Sequence, residues 1–237
     1  MTLQAFTLAR ADDALILGHR LSEWIGHGPI LEEEMALGNI GLDLIGQARS
    51  LYQYVGDEDQ LAYFRDAGEY RNALLAEQPN GDFGHTMVRQ LFYSAYADPF
   101  WRQMMASTDA TLAAIAAKSE KESAYHLRHA SEWVIRLGDG TAESHARAQT
   151  AVDQLWPYTG ELFEADPTLP PGTAPDPAML QPIWAQTVGA ILTRATLRVP
   201  ASGWMQSGGR AGRHTEHLSL LLAVMQSVAR AHPGAKW

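Results

Sequence analysis

Twelve prolines are spread very unevenly along this 237-residue chain, and their placement decides which segments are free to be helical. Pro29, Pro79, Pro99 and Pro233 fall outside the span 157–200, and the other eight fall within it. Proline removes a backbone donor and clashes with the preceding helical turn, so a proline-poor stretch is permissive for helix. The first two-thirds of the chain is therefore open to long helices. The stretch 164–182 reads as a loop or irregular crossover. No segment shows the period-two alternation of a strand, and there is no internal repeat.

Apolar spacing and end signals then place the helices. A first runs from about Ala11 to Ile25 and stops near Gly26, Gly28 and Pro29. A second starts near Ile30, where Pro29 and the Glu32, Glu33, Glu34 run suit a helix N-terminus, and continues to Val55. A third spans about Asp82 to Ala106 with a kink at Pro99. The fourth begins at Thr108 or Asp109 and ends at Gly138, a suitable residue just past a helix end. Others cover about 142–163, 177–197 and 215–231. Long helices on short loops make an antiparallel bundle. The expected fold class is all-α: one four-helix bundle over 1–237, with additional C-terminal helices.

Composition closes off several functions. The net charge is −9 and there is no basic run, which argues against nucleic acid or an anionic membrane surface. There is no cysteine, so disulfides, iron–sulfur clusters, zinc ribbons and thiol nucleophiles are excluded. The N-terminus is not apolar enough for a signal peptide, and no apolar run approaches the roughly 20 residues of a membrane span. A cytoplasmic protein is expected. Charged residues make up 19%, a low share that points to surface buried against other subunits.

Two predicted helices carry acids within apolar stripes. In the second, Leu31, Met35, Leu42, Ile45, Ala48, Tyr52 and Val55 form one stripe and Leu37, Ile40, Leu44 and Leu51 another, with Asp43 between Leu42 and Leu44. In the fourth, Glu122 and His126 interrupt a face built of Leu112, Ile115, Ser119, Ala130, Trp133 and Leu137. Acids inside a four-helix bundle are the mark of di-iron proteins. Those take a Glu from each of two helices and a Glu-x-x-His from each of the others. Here no Glu is followed three residues later by His. Asp43 is followed by Gly46 and Glu122 by Tyr125, while His126 is one residue out of register, about 100° around the axis. Asp43, Glu122, Tyr125 and His126 are thus either the remains of a metal site or an ordinary buried polar network.

Other histidines offer a different reading, a self-sufficient His/carboxylate metalloenzyme on a helical bundle. His19, Glu23 and His27 are spaced to line one helix face, and His214 and His217 form an H-x-x-H. Asp82-x-x-His85 falls at a helix start and reads as a cap. The glycine-rich stretch from Gly203 to His217 is expected to be exposed or ordered by a partner chain. Its Arg210 and Arg213 are alternatively placed to hold an anion at a helix N-terminus.

Several strings together carry a resemblance: ALGNIGLDLIGQARSLY at Ala36–Tyr52, EQPNG at Glu77–Gly81, ESAYHLRH at Glu122–His129, EWIGHGP at Glu23–Pro29, GGRAGRHTEHL at Gly208–Leu218, and the terminal Trp237. The chain resembles the PaaC-type subunits of bacterial phenylacetyl-CoA epoxidases along nearly its whole length, least so across 164–182. That resemblance implies a ferritin-like subunit that binds no cofactor of its own. It implies pairing with a homologous PaaA-type subunit that holds the di-iron centre, within a hetero-oligomer that includes small accessory subunits and a reductase carrying FAD and iron–sulfur. The system converts phenylacetyl-CoA to its ring 1,2-epoxide in aerobic phenylacetate catabolism. The resemblance also places Glu69, Tyr70, Arg71 and Asn72 near bound CoA, with Tyr70 suited to stack on adenine and Arg71 to meet a phosphate.

Overall fold

The computed structural model describes residues 2–165, 169, 171–201 and 203–235. The described residues form helices, turns and loops, with no strand among them. All-α architecture is as expected. The helices are α1 (Leu3–Ser22), α2 (Leu31–Val55), α3 (Glu58–Tyr63), α4 (Leu74–Glu77), α5 (Phe83–Met104), α6 (Ala110–Gly138), α7 (Ala142–Leu155), α8 (Pro177–Arg194), α9 (Glu216–Met225) and α10 (Ser227–Ala231). Their contacts gather into two compact units, one of Met1–Pro79 with Ser207–Trp237 and one of Asn80–Gln206.

Helix starts are fixed by side-chain caps. Asp57, Asp82, Asp109, Thr141 and Asp176 each accept a backbone N–H from the first turn of the helix they precede, which satisfies donors that have no intrahelical partner. Thr2 does the same for α1, so that helix begins eight residues before the Ala11 start expected from apolar spacing. Asp82 accepts from the His85 backbone N–H at 2.8 Å, as the capping interpretation requires. Asp176 likewise starts α8 at Pro177. The crossover therefore ends there, and Pro182 lies inside a helix.

In the first unit, α1 packs along α2. The two backbones meet at Gly18 and Gly41. A Cβ on Gly18 would lie 3.1 Å from the Gly41 carbonyl, and one on Gly41 would lie 3.2 Å from the Gly18 carbonyl. Side chains at those positions would hold the helices apart. The packed face of α2 is Leu37, Ile40, Leu44, Ala48, Leu51 and Tyr52, so the core takes all of the second expected stripe together with Ala48 and Tyr52 from the first. Three residues of the first stripe face outward: Leu31, Met35 and Leu42 are 68%, 60% and 68% exposed.

In the second unit, α5 packs against α6, α7 and α8 and is buried at nearly every position from Thr86 to Trp101. Pro99 lies inside α5 without ending it. An aromatic cluster of Phe92, Trp156, Trp184 and Phe163 fills the space between these elements, with Trp184 Nε1 donating to the Phe92 carbonyl at 2.8 Å. Gly138 is the last residue of α6 rather than a left-handed cap beyond it. Its role is close approach, because a Cβ there would sit 2.3 Å from the Ala195 carbonyl.

Candidate functional site

On α6 the buried line is Leu112, Ala116, Ser119, Ser123, His126, Ala130, Val134 and Gly138. Successive members are three or four residues apart, which keeps the line on one face. This corrects the expected stripe, in which Ile115, Glu122, Trp133 and Leu137 were central; they flank the line instead. His126 is inside. Glu122 stands at the rim, its carboxylate 3.6 Å from Lys118 Nζ one turn earlier. Tyr125 points away, 37% exposed, with its ring tilted against His129 at 6.1 Å and the Arg128 guanidinium over it. Asp43 is half-buried on α2 of the other unit.

The histidine-based metal readings fail on geometry. The helix α1 ends at Ser22, so Glu23 caps it and His27 lies in the following turn. Glu23 pairs instead with Arg20 at 3.0 Å. His214 precedes α9 and His217 lies within it. Among the described residues no group of three or more His, Asp or Glu is placed to hold a metal ion.

The segment expected near CoA is part of the framework. Tyr70 is 0% exposed, its hydroxyl donates to the Ala62 carbonyl, and the Arg65 guanidinium lies 4.1 Å from its ring centre. No face of the ring is open for a base to stack on. Asn72 is equally enclosed and donates to Glu77 Oε2 at 2.8 Å. Glu69 is exposed and caps a short turn by accepting the Asp66 backbone N–H. Arg71 is half-buried and donates to the carbonyls of Gly68 and Tyr70.

What holds this segment is a set of three fully buried carboxylates: Asp12 and Asp13 on α1, and Glu77 at the end of α4. Asp12 accepts from Tyr52 Oη at 2.6 Å, from both terminal nitrogens of Arg65 and from the Arg71 backbone N–H at 2.8 Å. Asp13 accepts from the Ala73 backbone N–H at 2.6 Å and from both terminal nitrogens of Arg210 at 2.8 Å, with Arg10 Nε at 3.4 Å. Glu77 accepts from Asn72, from Thr215 through both its backbone N–H and hydroxyl, and faces His214. Each of the six oxygens meets two partners. A buried carboxylate is tolerated where charged groups and hydrogen-bond donors converge on it in this way. Burial and the neighbouring Asp12 charge push the Tyr52 hydroxyl well above its usual range. Burial raises the Tyr70 hydroxyl too. Both stay protonated donors. The cluster is built to fix chain segments rather than to exchange protons with a substrate.

The family model described as "Phenylacetic acid catabolic protein" (PaaA/PaaC) matches the chain across residues 1–237. The chain belongs to that family. It is 46% identical over 245 residues, covering 99% of this chain and 99% of the relative, to the C-type subunit of 1,2-phenylacetyl-CoA epoxidase from Escherichia coli (strain K12). Two of the strings that carried the resemblance meet in space. Glu77, from Glu77–Gly81, binds Thr215 and faces His214, both from Gly208–Leu218. The glycine-rich stretch 207–217 is thus ordered by its own chain, and Arg210 is spent on Asp13 rather than kept for an external anion. Trp237 lies outside the described residues.

The carboxylate cluster escaped the sequence reading. Its signal was present: Asp12 and Asp13 sit side by side in ADDALIL, in a helix otherwise apolar at that point. Two adjacent acids inside such a run need buried partners.

Proposed function

We propose that this chain is the non-catalytic, structural subunit of a cytoplasmic phenylacetyl-CoA epoxidase. In this reading it pairs with and stabilises a homologous di-iron PaaA-type subunit, and a reductase carrying FAD and iron–sulfur supplies that subunit with electrons. The observation that carries the proposal is the 46% identity to the C-type epoxidase subunit along 99% of both chains. Two further features support it. No Glu-x-x-His occurs anywhere in the sequence, so the ligand pairs of a di-iron bundle are missing. The exposed Leu31, Met35 and Leu42 on α2 give an apolar face of the kind that subunits cover. No helix of the described residues is long and apolar enough to cross a membrane.

The decisive experiment is co-expression with the PaaA-type subunit, followed by metal analysis of the complex and of each chain. The expected result is a stable complex whose iron stays with the partner. Iron at about two per chain in this subunit alone, the complement of a di-iron bundle, would sink the proposal. So would failure of the two chains to co-purify.

A further inference from the structure

His214 lies between two acceptors. Its Nδ1 is 2.7 Å from Glu77 Oε2, and its Nε2 is 3.0 Å from the Tyr70 carbonyl oxygen. The His214 and Glu77 side chains are 4% and 0% exposed, so solvent leaves little room for a substitute partner. A neutral imidazole has one N–H and one lone pair. Placed here it would satisfy one contact and set a lone pair against a lone pair at the other. The imidazolium donates at both.

The surrounding groups favour the charged ring. The other donors to Glu77 are Asn72 Nδ2 and the N–H and hydroxyl of Thr215, all neutral. Arg20 comes close, but Nε and one terminal nitrogen donate to the Glu77 main-chain carbonyl, and the other terminal nitrogen goes to Glu23. Arg210 is committed to Asp13, and the Arg71 guanidinium to the carbonyls of Gly68 and Tyr70. The Tyr70 phenol faces Ala62 and Gln226, Arg213 is exposed, and His217 is bound through its carbonyl by Arg20. His214 is thus the cation closest to the Glu77 carboxylate. Burial works against a charged ring, but a neutral ring would leave a buried carboxylate without a counter-ion, which costs more.

We propose that His214 is held as an imidazolium through the neutral pH range and that its proton is a latch. The latch fastens the stretch 208–218 onto the 70–77 turn through Glu77 and the Tyr70 carbonyl. Free imidazole titrates near 6.5. A ring that binds its proton more tightly when folded gives full stabilisation below about 6.5, and loses it as pH rises through the folded value. The latch therefore opens on the alkaline side.

The test uses the full-length chain labelled with ¹⁵N at histidine. Long-range ¹H–¹⁵N correlation at pH 7.5 should show both ring nitrogens of His214 protonated, and Glu77→Gln should return the ring to a neutral tautomer. Amide exchange at Thr215, which donates to Glu77 Oε1, should accelerate beyond the intrinsic hydroxide dependence, by roughly tenfold per pH unit once the ring titrates. An unprotonated ring nitrogen on His214 at pH 7.5 in the unmodified chain overturns the imidazolium, whether the proton is absent or resides on Glu77. Thr215 exchange that follows only the intrinsic rate up to pH 9 overturns the latch. Both measurements on the unmodified chain remain decisive if the variant does not fold.

Discussion

Arg210 donates to both carboxylate oxygens of Asp13 at 2.8 Å, joining the C-terminal stretch to the middle of α1 across 197 residues of sequence. Neither side chain is more than 11% exposed. Removing one partner strands the other as a buried charge, so Arg210→Ala should cost roughly 3–5 kcal/mol. Replacing both, as Asp13→Leu with Arg210→Met, should cost clearly less than the sum of the single changes. Urea unfolding of the two single variants and the double variant gives the comparison. Additive losses would mean that the two side chains do not depend on each other.

Tyr52 gives a smaller and cleaner probe. Its hydroxyl donates to Asp12 at 2.6 Å inside the α1–α2 pair. Tyr52→Phe keeps the ring and removes the hydrogen bond to a charged acceptor, along with the longer one the hydroxyl accepts from Arg65 at 3.2 Å. The expected loss is about 1.5–3 kcal/mol. Arg65 and the Arg71 backbone still hold Asp12, so the chain should stay folded, with an unchanged far-ultraviolet circular dichroism spectrum and a lower urea midpoint.

These contacts mark the limit of what the sequence makes legible. Helix starts are readable where a short polar residue stands at the boundary, as at Asp82 and Asp109, because capping is a local interaction. The orientation of α2 is not. Leu31, Met35 and Leu42 obey helical spacing as well as Leu37, Ile40 and Leu44 do, and only packing against Gly18 decides which set turns inward. The face of α6 was missed by one position, since an apolar Trp133 and a small Ser123 rank in the wrong order when burial is judged from hydrophobicity. The Glu77 cluster depends on residues up to 138 positions apart, and no periodicity reports such a pairing. The recognised strings Glu77–Gly81 and Gly208–Leu218 did contain both halves of it.

Gly138 tests the close approach at the end of α6. A methyl group there would meet the Ala195 carbonyl and side chain at 2.3 Å and 2.8 Å. The backbone at 138 is helical, so Gly138→Ala would help an isolated helix through better propensity. Overpacking should win, with a net loss of roughly 1–3 kcal/mol. Thermal melts check the sign, since a raised Tm would mean the two segments separate without cost. Gly38→Ala, at a helical position with nothing within 4 Å of the new methyl, serves as the control and should be stabilising by about 0.5–1 kcal/mol.

His19 sets an acid limit on stability. Burial on α1 lowers its pKa to about 4 from an ordinary 6.5. The folded protein therefore holds a neutral ring at pH values where the unfolded chain binds a proton. Stability from this group is complete above about 6.5 and falls away between 6.5 and about 4, where the folded ring also titrates. At about 1.4 kcal/mol per pH unit, the loss across that window reaches about 3 kcal/mol. The His214 latch has the opposite sign and is intact over the same range, so acid weakening at His19 is separable from alkaline release at His214. Urea midpoints at pH 7.5 and pH 5 should differ less in His19→Gln than in the unmodified chain, because the substituted side chain cannot bind the extra proton. An equal difference in the two proteins would place the acid sensitivity elsewhere in the chain.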